Sequence, residues 1–167
     1  MTVFRFLFIL LVLLTGLCAP ACAEIITGRV VGVTDGDTLT LLDSSNQTHK
    51  IRLAGIDAPE KKQDFGQKAK TSLAELAYGQ DARASCQKKD RYRRDVCVVK
   101  VNGKDVGLEQ IRTGLAWWYR QYARELMRQE RIDYEKAEQD AKNRHLGLWS
   151  SNAPMPPSEW RHIRGKR

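Results

Sequence analysis

Three short segments of this chain set carboxylates and guanidinium groups at spacings that suit phosphate chemistry: Asp35-Gly36-Asp37-Thr38, Arg52-Leu53-Ala54-Gly55-Ile56-Asp57-Ala58-Pro59-Glu60, and Asp90-Arg91-Tyr92-Arg93-Arg94-Asp95. Each alone is ordinary. Asp-Gly is a common turn, a single arginine in a strand is usually a surface residue, and Asp-Ala-Pro-Glu fits a loop ahead of a helix. Together they say more. If the first two segments end neighbouring strands, Asp37 comes beside Asp57, with Arg52 and Glu60 on the same mouth. Clustered carboxylate oxygens suit a hard divalent cation, Ca²⁺ or Mg²⁺, with water in the remaining positions. No Cys/His set argues for zinc, and His49, His145 and His162 lie in unrelated contexts. Phosphodiester hydrolysis needs a cation to polarise the phosphoryl oxygen, an aligned water, and donors for the charge that grows on the equatorial oxygens. Glu60 is the candidate base or water-positioning group. Arginine suits the donor role because its planar fork gives a phosphate two hydrogen bonds.

The elements that must carry these residues can be read from periodicity and punctuation. Residues 25–34, 38–42 and 48–55 are β-branched runs separated by turn formers, with Asp35-Gly36 as a hairpin signal, and predict an antiparallel meander. Residues 66–77 carry Ala69, Leu73, Leu76 and Ala77 at helical spacing, and Gly79 stops the helix. Strands follow at 82–87 and 96–101, the second ending in Asn102-Gly103. A short helix at 106–113 is closed by Gly114, and a long one runs from about 124 to 143 with Ala123, Met127, Tyr134, Ala137 and Ala141 on its packing face. Five short strands with a helix between the third and fourth predict a mainly β fold with α, a five-stranded OB-type barrel with three helices, whose closure removes exposed edges.

The 167 residues suffice for one domain with a real core. Arg5, the apolar run from Phe6 to Leu17 and Ala21-Cys22-Ala23 read as a secretory signal over residues 1–23, which leaves no membrane span in the mature protein. The alternatives are retention as an anchor and lipidation at Cys22. Cleavage leaves Cys86 and Cys97, expected to pair in an oxidising compartment, so the protein is expected to be exported, periplasmic or secreted. Loss of Arg5 with the leader changes the balance from +8 to +7, 27 basic against 20 acidic residues. That charge attracts nucleic acid, anionic headgroups or acidic polysaccharide and chooses none of them. Residues 150–167 form a Pro-containing basic tail, in which Trp160 can tuck back on the domain while the last few residues read as a solvated end.

The ordered set Asp-Gly-Asp-Thr, Arg-Leu-x-Gly-Ile-Asp-x-Pro-Glu, Asp-x-Tyr-x-Arg, a helix with Gly-Leu-Ala and a late Leu-Gly-Leu-Trp resembles the staphylococcal nuclease (thermonuclease-like) family over residues 25–149. The resemblance implies a nuclease domain over residues 24–149 that cleaves DNA and RNA endonucleolytically, with Ca²⁺ as cofactor and little sequence specificity. It implies that Asp37 and Asp57 bind the metal, Ala58 through its backbone carbonyl, and Asp35 near it through water. Arg52, Glu60 and Arg94 match the catalytic set, and Tyr92 an aromatic at the nucleotide's phosphate end. DNA and RNA are then the partners, with no stable protein partner and a monomeric chain. Two positions depart from the pattern. The glycine usual before the catalytic arginine is Arg93, so the neighbouring arginines compete for the role, with Arg94 favoured by its spacing from Tyr92. The tyrosine pair that flanks the nucleotide falls on Arg120 and Tyr122, while Trp117, Trp118 and Tyr119 nearby can either stack on bases or pack in the core. A Cys86–Cys97 bridge would restrain the connection that holds Arg94. The competing readings are a non-catalytic OB-type nucleic-acid-binding module, which has no need of this acid and arginine set, and a surface protein that grips acidic polysaccharide.

Overall fold

The computed structural model describes residues 23–165. The expected leader lies outside them but for Ala23, as do Lys166 and Arg167. β1 (Glu24–Val33), β2 (Thr38–Leu42) and β3 (Thr48–Leu53) form the antiparallel meander. Alternate residues point inward, so Ile26, Val30, Leu39, Leu41, Ile51 and Leu53 line the core. A two-residue β4 (Ile56–Asp57) and α1 (Gly66–Ala77) lead to β5 (Asp81–Lys89) and β6 (Asp95–Val101). β5 pairs antiparallel with β1 and β6, and β6 runs parallel to β3 from Ile51↔Asp95 to Leu53↔Cys97. That last pairing closes the five long strands into a mixed barrel, the expected OB-type arrangement. Cys86 and Cys97 stand directly opposite in the β5–β6 ladder and are joined by a disulfide.

β7 (Lys104–Asp105) extends the sheet and turns into α2 (Val106–Arg112), where Asp105 caps the amides of Gly107 and Leu108. β8 (Trp117–Trp118) pairs with β4, so the two strands that bracket the barrel mouth hold each other. α3 (Arg128–Asn143) packs Tyr134, Ala137 and Ala141 inward. The helix expected from about 124 thus starts four residues later. Arg120–Glu125 make a 3₁₀ turn kinked at Tyr122, and Leu126 is extended and buried. The reason is local: Leu126 covers Gly55, whose φ of +68° and lack of a Cβ admit it, and Glu130 accepts the Met127 amide to start the helix afresh. Met127, expected on the packing face, is consequently exposed.

The three expected helices are joined by a fourth, α4 (Pro157–Arg164), within the Pro-containing basic tail. Pro157 sits at its first turn, where a missing N–H costs nothing, and is buried against the domain. No described helix is long and apolar enough to cross a membrane.

Candidate active site

One mouth of the barrel carries a cleft of about 590 Å³. Asp35, Asp37, Arg52, Asp57, Ala58, Glu60, Tyr92, Arg94 and Tyr122 all line it, so residues from three separate motifs reach one cavity. The cysteine pair lies instead in the barrel wall.

The acidic loop between β1 and β2 is wider than a two-residue hairpin, closing with a bond from the Thr34 amide to the Thr38 carbonyl. Gly36 presses it against the domain: a Cβ there would stand 2.7 Å from the Ala58 Cβ and 2.6 Å from the Ala69 Cβ. Gln110 of α2, fully buried, donates from Nε2 to the carbonyls of Gly36 and Ala69, each at 2.8 Å, and ties the loop to α1. Asp37 is 7% exposed. Its Oδ2 accepts the Ala58 amide at 2.9 Å and its Oδ1 the Thr38 hydroxyl at 3.1 Å. Asp35 accepts the Asp37 amide, and burial, followed by the charge of Asp37, pushes its carboxyl up to about 6.

Asp57, on β4, is 3% exposed. Arg52 joins the two buried carboxylates, with Nη2 at 3.3 Å from both Asp37 Oδ2 and Asp57 Oδ1 while Nη1 donates to the Leu53 carbonyl. Burial raises the Asp57 carboxyl against the opposing pull of Arg161 and Arg52.

Arg94 owes its position to the loop between β5 and β6. The Asp90 carboxylate accepts the amides of Tyr92 and Arg94 and the Arg94 Nε at 2.7 Å. Arg94 Nη1 reaches the Thr38 hydroxyl at 3.3 Å, which links this arginine through Thr38 to Asp37. Arg93 adopts φ +64°, the left-handed geometry that glycine takes at no steric cost, and it does not line the cleft. Tyr92, largely exposed, lies against the Arg94 guanidinium at 5.5 Å.

The far wall is aromatic. Tyr122 packs edge-on against Tyr119 with centroids 4.8 Å apart, and Lys88 lies over its ring. Tyr119 lines the cleft and is fixed by its amide on the Gly55 carbonyl, whereas Arg120 pairs with buried Glu138 and stacks on Trp118. Two residues, Gln110 and Arg161, lie outside the motifs, and Thr38 lies inside the first without an expected role. Gln110 and Thr38 orient the loop and Arg94. Arg161, on α4, enters the cleft and donates to Glu60 Oε1 at 2.9 Å and to both oxygens of Asp57 at 3.3 and 3.0 Å. Its one sequence signal was Pro156-Pro157, a helix start six residues into the tail.

Among the described residues no group of three or more His, Cys, Asp or Glu side chains is gathered to hold a metal ion. Asp37 and Asp57 are a convergent oxygen pair, a donor set that fits a hard cation retaining much of its water shell. Arg161 supports that fit, because a guanidinium stands where the pair and Glu60 carry more negative charge than Arg52 alone offsets.

A closed barrel with carboxylates and arginines at one mouth defines an oligonucleotide-binding-type barrel with a cleft fitted to a phosphodiester. Residues 50–151 match the family model described as staphylococcal nuclease homologue, and the chain belongs to that family. It is 44% identical to an "Uncharacterized endonuclease" of Haemophilus influenzae over 81% of this chain and 72% of that protein. It is 36% identical to a "Micrococcal nuclease" of Shigella flexneri over 85% of this chain and 83% of that one. A staphylococcal-like nuclease of Arabidopsis thaliana is 37% identical over 67% of this chain and 33% of its own length.

Proposed function

We propose that the chain is an exported, calcium-dependent endonuclease that hydrolyses phosphodiester bonds in DNA and RNA with little sequence specificity. Family membership and the relatives named endonuclease and micrococcal nuclease support the endonuclease reading. The observation that carries it is the convergence of Asp37, Asp57, Arg52, Glu60 and Arg94 on one cleft.

Asp37, Asp57 and the Ala58 carbonyl would hold Ca²⁺, with Asp35 acting through water, and the ion would supply polarisation of a phosphoryl oxygen. Glu60, whose side chain is 40% exposed at the cleft mouth, takes the proton of the attacking water. Arg52 and Arg94 meet the charge that develops on the phosphoryl oxygens, and both are oriented beforehand by carboxylates behind them, so little reorganisation accompanies the reaction. Tyr92 faces the phosphate end of the nucleotide, and Tyr122 with Tyr119 offers a stacking wall that tolerates any base. The leader over residues 1–23 and the Cys86–Cys97 bridge fit an oxidising compartment, periplasmic or extracellular.

Incubation of the mature chain with supercoiled plasmid and with RNA is expected to yield nicked and fragmented products in Ca²⁺ and intact substrate in chelator. Binding without cleavage in Ca²⁺, Mg²⁺ and Mn²⁺ would favour the non-catalytic binding module instead.

A further inference from the structure

Arg161 belongs to a helix more than a hundred residues away in sequence from Asp57 and Glu60, yet it takes up both. Its Nη1 and Nη2 reach the two oxygens of Asp57, and Nη1 also holds Glu60 Oε1. The Asp57 side chain is 4% exposed and that of Arg161 45%, so the arginine comes from the solvent side and closes the carboxylate off. One residue links the two parts: Gln63 accepts the Glu60 amide at 3.1 Å and donates to the Met155 carbonyl at 2.6 Å, just before α4. The helix is otherwise lightly held. Pro157 is buried and Trp160 half-buried, while the remaining residues of α4 are exposed. A segment with so little buried surface opens at small free-energy cost.

Resting on the calcium reading above, we infer that Arg161 is the resident counter-ion of this site, and that divalent-cation binding requires it to leave Asp57 and Glu60, taking α4 with it. The argument is one of shared atoms. A calcium ion bonds carboxylate oxygen at about 2.3–2.6 Å, and the guanidinium fork already occupies both Asp57 oxygens. Two cations on one carboxylate repel at close range in a poorly solvated pocket. While Arg161 is in place it also holds Glu60 Oε1, one of the two oxygens that would take the proton of water. Removing the cation from the mouth is thus a step that precedes both metal entry and proton transfer, and Arg161 sets the metal affinity of the site.

The test is calcium titration by calorimetry of the full mature chain at fixed ionic strength without nucleic acid, comparing wild type, Arg161→Ala and Arg164→Ala. Arg164→Ala removes the same charge from the same helix, but that arginine stacks on Trp160. Arg161→Ala should tighten the calcium Kd about tenfold, as when the competent state is populated in roughly one molecule in ten, with Arg164→Ala close to wild type. In the wild type, calcium should also speed amide exchange across 157–164. Equal affinity in wild type and Arg161→Ala, an equal gain in Arg164→Ala, or slower exchange with calcium overturns the inference and leaves Arg161 as a further phosphate donor or a packing residue. Absence of calcium binding in every chain overturns the calcium reading itself, and this inference with it.

Discussion

Arg93 and Arg94 are adjacent in the chain but face different demands from the backbone. Arg93 must adopt a positive φ so that the loop can fold over Asp90, and Arg94 then follows with its Nε on the Asp90 carboxylate and its Nη1 on Thr38. Replacing Arg93 by glycine relieves a left-handed residue, so Arg93→Gly should keep its cleavage rate and gain about 1 kcal/mol of stability. Arg94→Ala removes a pre-oriented donor and should lose about 10²-fold or more in kcat with its melting temperature nearly unchanged. Steady-state cleavage of plasmid DNA and thermal melts check both, and an equal loss of kcat at the two positions would sink the distinction. The spacing from Tyr92 favoured Arg94 from sequence alone, because residues of one motif are neighbours in the chain as well as in space. Arg161 and Gln110 reach their partners across 101 and 74 positions, with no local pattern to announce them.

The elements that hold the site differ in how openly the sequence declares them. β2 and α1 lie at the residues expected, since alternation in one and three-to-four spacing in the other are each bounded by turn formers. The two-residue β4 and β8 left no trace, because a pair that short is fixed by the fold around it, and the start of α3 was displaced by the burial of Leu126 over Gly55. Among these elements α2 carries the least expected duty. Its buried Gln110 clamps the acidic loop and α1 together through two bonds. Gln110→Leu keeps the volume but leaves the Gly36 carbonyl buried without that donor, which should cost roughly 1–3 kcal/mol. The loosened loop should also raise the Ca²⁺ concentration needed for half-maximal cleavage while kcat at saturating Ca²⁺ stays near wild type. A variant that is less stable but has an unchanged calcium requirement would show that the clamp serves stability alone.

At the scale of the whole molecule the three shifted, largely buried carboxyls, Asp35, Asp57 and Asp105, are all raised, primarily by burial. A carboxyl raised in the folded state holds its proton more tightly there than in the unfolded chain. Between about pH 4 and its folded pKa the folded protein therefore carries more protons, and stability falls as pH rises. Asp35, moved from 3.8 to about 6, accounts for up to about 3 kcal/mol of that fall by itself. Asp43, held down first by its hydrogen bond from His49, and Asp90, held down by Arg94 against a burial that pulls it up, act in the opposite sense, but their effect lies at lower pH, below the usual carboxylate range. Urea unfolding in chelator should thus show a maximum near pH 4 and weaker stability at pH 7.5, with Asp35→Asn removing much of the difference. Saturating Ca²⁺ should flatten or reverse the slope, because a bound cation favours the charged form of the same carboxylates and offsets the burial that raised them. Stability in chelator that climbs steadily from pH 5 to 7.5 would mean that the arginines already neutralise the site, leaving no unmet charge for a metal to answer.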